Sequence, residues 1–101
     1  MTKKSHLNRQ ARRVKLVAQY AEKRAVLVKI IKDAGASLED KAAAYRAIQK
    51  LPRDSSMVRP HSRCAITGRP RGFFRRFGVS RLMLRKLAHQ GELPGVRKAS
   101  W

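Results

Sequence analysis

The charge of this chain limits how it can fold more than any other feature. It carries 25 Lys and Arg side chains against 6 Asp and Glu in 101 residues, a formal net charge of +19. A chain this short buries only a modest core, and self-repulsion of this size opposes compaction unless a polyanion neutralises it. The sequence therefore predicts at most one independently folded domain, and nucleic acid is the expected polyanion.

The type of basic residue changes along the chain. Every basic residue from Arg53 to Arg85 is Arg, whereas the first 33 residues mix Lys and Arg. Arg presents a planar guanidinium that matches phosphate with two hydrogen bonds and stacks on bases, whereas Lys acts as a point charge. The Arg bias favours binding to structured RNA or DNA over a general effect on solubility.

Cysteine content and hydropathy indicate the cellular compartment in which the chain works. The single cysteine, Cys64, excludes an intramolecular disulfide, and the first residues contain no apolar run of signal-peptide or membrane-span length. We expect the chain to stay in a reducing compartment, the cytoplasm. The Arg-rich start has the composition of an organellar leader, but it continues into a strong helical pattern. We therefore expect residue 1 to belong to the working protein.

A long first helix is predicted over residues 5–33, because apolar residues there recur at alternating spacings of four and three. The resulting stripe is rich in alanine and buries little by itself, so we expect it to lie against RNA or a neighbouring protein. The pattern fits a soluble amphipathic helix equally well. The stripe consists of Leu7, Ala11, Val14, Ala18, Ala21, Ala25 and Val28.

A second helix is predicted over residues 37–50. Ser37 followed by Asp40 has the form of a capping box, which marks the start of a helix. We expect this helix to fold back on the first as a helical hairpin and to bury one apolar face. That face contains Leu38, Ala42, Tyr45 and Ile48.

Regular structure after the second helix should be short, because Gly and Pro interrupt any sustained periodicity between residues 52 and 79. Phe73, Phe74 and Phe77 stand among arginines in this segment. We favour a small core for these rings, and a platform for unstacked bases stays open as the alternative.

A last helix is predicted from Ser80 as N-cap through Gln90, and Gly91 should end it as a C-cap. The remaining tail turns once before the chain ends. We expect the terminal Trp101 to pack against protein or RNA, because a Trp side chain is costly to leave in water.

Four short segments stand out in the second half of the chain. They are LPRDSS at 51–56, RC at 63–64, TGRPRGFFRRFGVSR at 67–81 and GELPGVRKASW at 91–101. Together they resemble the family of the fourteenth small-subunit ribosomal protein, in its longer bacterial form. TGRP alone would be weak evidence for this family. TGRP, RFG-x-SR and a final KASW at these separations are a specific combination. The likeness is looser before Leu51.

The resemblance implies a function and a fold. Such a protein is a structural constituent of the small ribosomal subunit that binds 16S-type ribosomal RNA in the head, next to the third and tenth small-subunit proteins. It supports subunit assembly and helps to shape the decoding (A-site) region, with no cofactor, membrane or small-molecule substrate. The implied fold is mainly α, with an N-terminal helical extension over residues 1–51. An RNA-binding module derived from a zinc ribbon follows over residues 52–101, extended when bound to RNA.

The zinc-binding members of that family carry a C-x2-C-x12-C-x2-C pattern, whose positions fall here on Cys64, Thr67, Ser80 and Met83. Only the first of these is a cysteine, and Thr, Ser and Met are poor replacements for a thiolate ligand. We therefore expect no bound zinc, with Met83 packed against the phenylalanines in place of the metal and Cys64 as a small buried residue.

The candidate RNA contacts are the arginines of the first helix and of the later segments, with one lysine near the C-terminus. They are Arg9, Arg12, Arg13, Arg53, Arg59, Arg63, Arg69, Arg71, Arg75, Arg76, Arg81, Arg85 and Lys98.

Other function classes fit the sequence less well. Six acidic residues, three His and one Cys lie scattered along the chain and form no catalytic pattern, so an enzyme is not expected. A small basic DNA-binding or nucleoid-type protein is the alternative, although no recognition helix with mixed Asn, Gln and Arg is present. A cationic membrane-active helix is a third reading, which leaves two thirds of the chain unexplained.

Overall fold

A computed structural model describes residues 1–100, and its regular structure is mainly α-helical, as predicted. The predicted packing of Trp101 lies outside the described residues. Two helices come first, a single turn of 3-10 helix follows, and a two-stranded antiparallel sheet precedes the last helix. In chain order these are α1 Lys4–Lys32, α2 Leu38–Lys50, the 3-10 turn Arg53–Ser55, β1 Phe73–Phe74, β2 Val79–Ser80 and α3 Arg81–His89.

The chain divides into two compact units. We call the first the terminal unit, because it combines residues 1–7 with the chain from His61 onward. The second, residues 8–60, we call the helical unit. The domain boundary predicted after residue 51 stays a prediction.

In α1 the half-buried stripe is displaced by one position along the sequence from the predicted one, and the two stripes share no residue. No α1 residue is buried, and every member of the predicted alanine-rich stripe is exposed. The half-buried residues, with Leu16 in addition, recur at spacings of three and four: Gln10, Arg13, Val17, Tyr20, Arg24, Leu27 and Ile31. Arg13 and Arg24 set this orientation, because both side chains find polar partners in the 3-10 turn.

Helix α2 starts as predicted but turns a different face inward. The Ser37 side chain accepts a hydrogen bond from the Asp40 N–H at 3.2 Å, which caps the helix. Its one buried residue is Ala44, whereas Leu38 is 85% exposed and Tyr45 is 55% exposed. The prediction that Leu38, Ala42 and Tyr45 form the packed face is therefore wrong, whereas Ile48 is half-buried.

The core of the terminal unit is small and partly polar. Cys64, Gly68, Val79 and Ser80 are the buried residues of this unit among those described. In the sheet, Phe73 pairs with Ser80 and Phe74 with Val79. The expected phenylalanine core is wrong for Phe74 and Phe77, which are 47% and 38% exposed, whereas Phe73 is half-buried.

Helix α3 has both predicted caps. The Ser80 side chain accepts from the Met83 N–H at 3.4 Å. At the other end Gly91 has a φ of 73°, and its N–H donates to the Ala88 carbonyl while the Glu92 N–H donates to the Leu87 carbonyl. These two bonds form a Schellman motif, which requires the left-handed conformation that Gly adopts without strain.

Candidate nucleic-acid interface

The terminal unit concentrates exposed cations. Arg71, Arg75, Arg76, Arg81 and Arg85 have exposed side chains, and Lys98 in the tail is exposed as well. No described Lys or Arg of this unit forms an ion pair, since both ion pairs found among the described residues involve Asp54 of the helical unit. These guanidinium groups therefore keep their donors for an external anion.

The connection between the two strands places two of these arginines at its tip. The Gly78 N–H donates to the Phe74 carbonyl at 2.8 Å and the Phe77 N–H to the same carbonyl at 3.2 Å, which closes a tight turn. Arg75 and Arg76 lie inside that turn, and the exposed rings of Phe74 and Phe77 flank them. A surface with cations between aromatic faces can bind both phosphates and unstacked bases.

Two predicted contacts of the terminal unit, Arg63 and Arg69, are less exposed than the others. The Arg63 guanidinium donates to the Gly68 carbonyl at 2.9 Å, and Arg63 is half-buried. Arg69 is also half-buried, and its backbone carbonyl accepts from the Cys64 N–H at 3.1 Å. Arg63 through its side chain and Arg69 through its backbone hold the turn around Cys64, and both side chains are less exposed than those of Arg75 and Arg76.

The predicted contacts of the helical unit also fall into two groups, exposed arginines and arginines paired with a carboxylate. Arg9, Arg12 and Arg53 are exposed. Arg13 and Arg59 both pair with the Asp54 carboxylate, at 3.4 and 2.7 Å. This double pairing holds α1 against the segment that follows α2.

A cationic groove that the sequence did not predict lies between α3 and the C-terminal tail. Arg85, His89, Arg97 and Lys98 line it, and the apolar floor includes Leu84 and Val96. Only Arg85 and Lys98 stand among the predicted contacts. The clustering of basic residues at both edges of the predicted turn after Gly91 was the available signal, because such a turn brings the tail back beside the helix.

Three of the four positions that the family resemblance assigns to zinc ligands, Cys64, Thr67 and Ser80, meet around the Cys64 thiol. Burial of this thiol acts to raise its pKa. Hydrogen bonds from the Thr67 side chain and from the backbone N–H groups of Thr67, Ser80 and Ile66 outweigh burial and lower the pKa of Cys64 from 9.0 to about 6. The Thr67 N–H lies 3.5 Å from Cys64 Sγ. Donors converging on the sulfur stabilise its thiolate form.

The residues at these positions do not fit a zinc ion. Ser80 Oγ accepts a hydrogen bond from the Met83 N–H, and Thr67 Oγ1 accepts one from the Arg69 N–H at 3.4 Å. Both hydroxyl oxygens are therefore already engaged by backbone donors. Among residues 1–100 no three His, Cys, Asp or Glu side chains form a group that could hold a metal. Cys64 is buried at 3% exposure, as predicted.

None of the described helices combines the length and hydropathy that a membrane span requires. The long helix α1 is exposed along most of its length and carries charge on several faces.

Comparison with known proteins gives a consistent family. A sequence profile described as "Ribosomal protein S14p/S29e" matches residues 47–100. The chain is 54% identical to small ribosomal subunit protein uS14c of Tetradesmus obliquus, and equally to uS14A of Mycolicibacterium smegmatis. Small ribosomal subunit protein uS14c of Chlorella vulgaris is 56% identical. In all three cases the match covers the whole of both chains.

These matches cover the helical unit as well as the arginine-rich half, so the two parts belong to one protein type. They favour a structural ribosomal role over that of a free DNA-binding protein or an enzyme, and they place the chain in the ribosome, in the cytoplasm. The chain belongs to the S14p/S29e family of ribosomal proteins, and its role is structural, in the small ribosomal subunit.

Proposed function

We propose that this protein binds 16S-type ribosomal RNA in the head of the small subunit, supports assembly of that subunit and helps to shape its decoding (A-site) region. Its neighbours there are the third and tenth small-subunit proteins, which the family resemblance implies. The terminal unit makes the principal RNA contacts, and the exposed arginines of the helical unit add to them.

The main support for this proposal is the excess of positive charge in the terminal unit. Twelve of the 25 basic residues belong to this unit, which contains a single acidic residue, Glu92. The helical unit has the other five acidic residues. A surface with so little internal neutralisation gains free energy by displacing counterions from phosphates.

The turn between β1 and β2 is the proposed centre of the contact. Arg75 and Arg76 neutralise phosphates, while the rings of Phe74 and Phe77 stack on unpaired bases. Stacking of this kind contributes about 1–3 kcal/mol for each base. The open alternative for the phenylalanines, a base platform, is therefore the one that we now favour.

The test compares two variants that lose the same charge. In one, Arg71, Arg75, Arg76 and Arg85 of the terminal unit are replaced by Ala. In the control, Lys29, Lys32, Arg46 and Lys50 of the helical unit are replaced by Ala. Affinity for a head-domain fragment of small-subunit RNA is measured against salt concentration.

Each lost phosphate contact lowers the salt slope by roughly one unit. We expect the first variant to lose about three to four units and the control to lose fewer than two. Equal losses in both variants would mean that total charge, and not the terminal unit, determines binding.

We also propose that the terminal unit holds its shape without zinc. The hydroxyl oxygens of Thr67 and Ser80 accept hydrogen bonds from backbone N–H groups, which supports this proposal. Further support is that no three His, Cys, Asp or Glu side chains of the described residues form a group that could hold a metal. Elemental analysis of purified particles tests this, with Cys64→Ser particles as the control. Zinc that disappears with this substitution would contradict the proposal.

A further inference from the structure

Gly72 and Arg81 lie opposite each other at the base of the β1–β2 hairpin, which consists of the two strands and the turn between them. They stand one step beyond the pair of Phe73 and Ser80. The Arg81 N–H donates to the Gly72 carbonyl at 2.6 Å, so the pairing of the strands continues by one residue. Opposed residues of an antiparallel pair have Cβ atoms about 4.5–5.5 Å apart, so their side chains normally meet. Here one of the two residues has no side chain.

The stem of the Arg81 side chain occupies the space that a side chain at residue 72 would take. A Cβ atom built on Gly72 would lie 3.2 Å from Arg81 Cδ, 3.3 Å from Arg81 Cγ and 3.5 Å from Arg81 Nε. Its three nearest neighbours therefore all belong to this one arginine. Gly72 also has a φ of 63°, a conformation that other residues rarely adopt. Glycine at this position thus lets the arginine stem lie against the backbone that leads into β1.

The backbone of Arg81 is held as well. Arg81 is the first residue of α3, and the Ser80 side chain caps that helix by accepting a hydrogen bond from the Met83 N–H. The hydrogen bond to the Gly72 carbonyl fixes the Arg81 N–H. Because both its backbone and its stem have packing or hydrogen-bond partners, Arg81 loses less conformational freedom on binding a ligand than an arginine in an open loop does.

The guanidinium group at the end of this stem is available to a ligand. Arg81 is exposed, and neither of the ion pairs found among the described residues includes it. A planar guanidinium forms two parallel hydrogen bonds with a phosphate, and these require a defined direction of approach. The base of the hairpin therefore presents one cation whose direction is set before RNA binds.

We propose that Gly72 is a positioning residue for RNA binding, because the space above it directs the Arg81 guanidinium toward one backbone phosphate of the small-subunit RNA. This inference rests on the proposed RNA-binding function and adds to it a fixed contact at the base of the hairpin. A contact with two hydrogen bonds allows fewer orientations than a point charge does, so this contact sets how the hairpin lies on the RNA.

A double-mutant cycle tests whether the two residues act together. Gly72→Ala, Arg81→Ala and the double substitution are made in the full chain, and affinity for the head-domain RNA fragment is measured against salt concentration. Gly95→Ala is the control for backbone strain, because Gly95 also has a positive φ, 77°, and a Cβ atom there would meet nothing within 4 Å. Thermal melts of the complexes show whether each variant folds on the RNA.

We expect Arg81→Ala to lower affinity about tenfold and the salt slope by roughly one unit. Gly72→Ala should lower affinity at least about threefold more than Gly95→Ala does. In a chain that already lacks Arg81, Gly72→Ala should cost no more affinity than Gly95→Ala, because no guanidinium is left to redirect.

Two outcomes of the cycle have different meanings. If Gly72→Ala costs the same affinity with and without Arg81, residue 72 acts on folding alone and the inference is wrong. If the chain without substitutions fails to bind the RNA fragment, the proposed function itself is contradicted.

Arg81→Lys gives a second test that leaves Gly72 in place. Lys keeps the positive charge but cannot form the planar contact with two hydrogen bonds. We expect this variant to keep the salt slope of the unsubstituted chain and still to lose at least about threefold in affinity. Equal affinities of the Arg and Lys chains would mean that Arg81 acts as a point charge whose direction does not matter, which would overturn the inference.

Discussion

Next to Cys64, the Thr67 hydroxyl takes part in two consecutive hydrogen bonds. The Arg69 N–H donates to Thr67 Oγ1, and the Thr67 hydroxyl in turn hydrogen-bonds Cys64 Sγ. The backbone closes the same turn, since the Gly68 N–H donates to the Cys64 carbonyl at 2.9 Å. Backbone and hydroxyl donors thus stabilise the thiolate form of Cys64.

Replacing Thr67 with Val should raise the pKa of Cys64 from about 6 toward 9.0, because the hydroxyl donor is lost while the side-chain volume is kept. The NMR shift of Cys64 Cβ against pH measures this directly, as the chain has one cysteine. Because the folded pKa lies below 9.0, the thiolate contribution to stability is complete above about pH 9 and is lost as the pH falls through 6. An unchanged pKa in the Val variant would show that the hydroxyl is not the decisive donor.

Gly68→Ala should destabilise the terminal unit more than Gly78→Ala does. Both glycines have positive φ, 75° and 69°, so each substitution costs about 1–2 kcal/mol of backbone strain. At Gly68 the new Cβ would also lie 2.8 Å from Leu7 Cδ2 and 3.1 Å from Thr2 Cβ, whereas at Gly78 it meets nothing within 4 Å. We expect about 1–3 kcal/mol more at Gly68. Thermal unfolding of the RNA-bound variants checks this, and equal losses would mean that residues 1–7 move away freely.

At the scale of elements, the sequence predicts helix ends better than helix faces. Ser37, Ser80 and Gly91 each act through local hydrogen bonds or backbone conformation, so the local pattern contained enough information. The inward face of α1 depends on Asp54 and Ser55, about thirty to forty residues away, and no periodicity could reveal them.

The proposed interface was predictable only in part, because the local sequence does not reveal partners that lie far away along the chain. Composition and the family motifs indicated the arginine-rich segment, but they could not tell which arginines have internal partners. Arg13 pairs with Asp54, and Arg63 donates to the Gly68 carbonyl, while Arg75 and Arg76 project from a turn that the sequence analysis did not foresee. A two-residue strand is too short to produce an alternating pattern.

Within the β1–β2 hairpin, Phe77→Ala and Val79→Ala should impair different properties of the protein. Phe77 is 38% exposed, so its loss should leave stability nearly unchanged and weaken RNA binding by about 1–3 kcal/mol. Val79 is 7% exposed, so its loss should lower stability by about 0.5–3 kcal/mol and affect RNA binding mainly through folding. Filter binding and thermal melts separate the two effects. A large loss of stability in Phe77→Ala would restore the core role for this ring.

For the whole molecule the amount of buried structure is small. Only six of the described residues are buried, and three of them are Ser55, Gly68 and Ser80. Hydrophobic burial on this scale does little to offset the conformational entropy of ordering the chain and the repulsion among its charges.

The free protein should therefore be only partly ordered and should gain helix content on binding RNA. Circular dichroism with and without the RNA fragment measures the change, and a non-binding RNA of the same length is the control. We expect a broad melt for the free chain and a sharper one for the complex. A free chain with full helix content and a cooperative melt would show that the core is sufficient by itself.

The first residues of the chain are held by the last third. The Thr2 N–H donates to the Thr67 carbonyl at 3.1 Å, and residues 1–7 belong to the same unit as the chain from His61 onward. During synthesis the start of the chain leaves the ribosome long before its partners exist, so the terminal unit closes only after the turn around Cys64 has been made. Closing a loop of this length slows folding, and α1 can form earlier because its contacts are local. The order of synthesis thus presents the helical unit to its partners first and completes the terminal unit, the proposed centre of RNA binding, last.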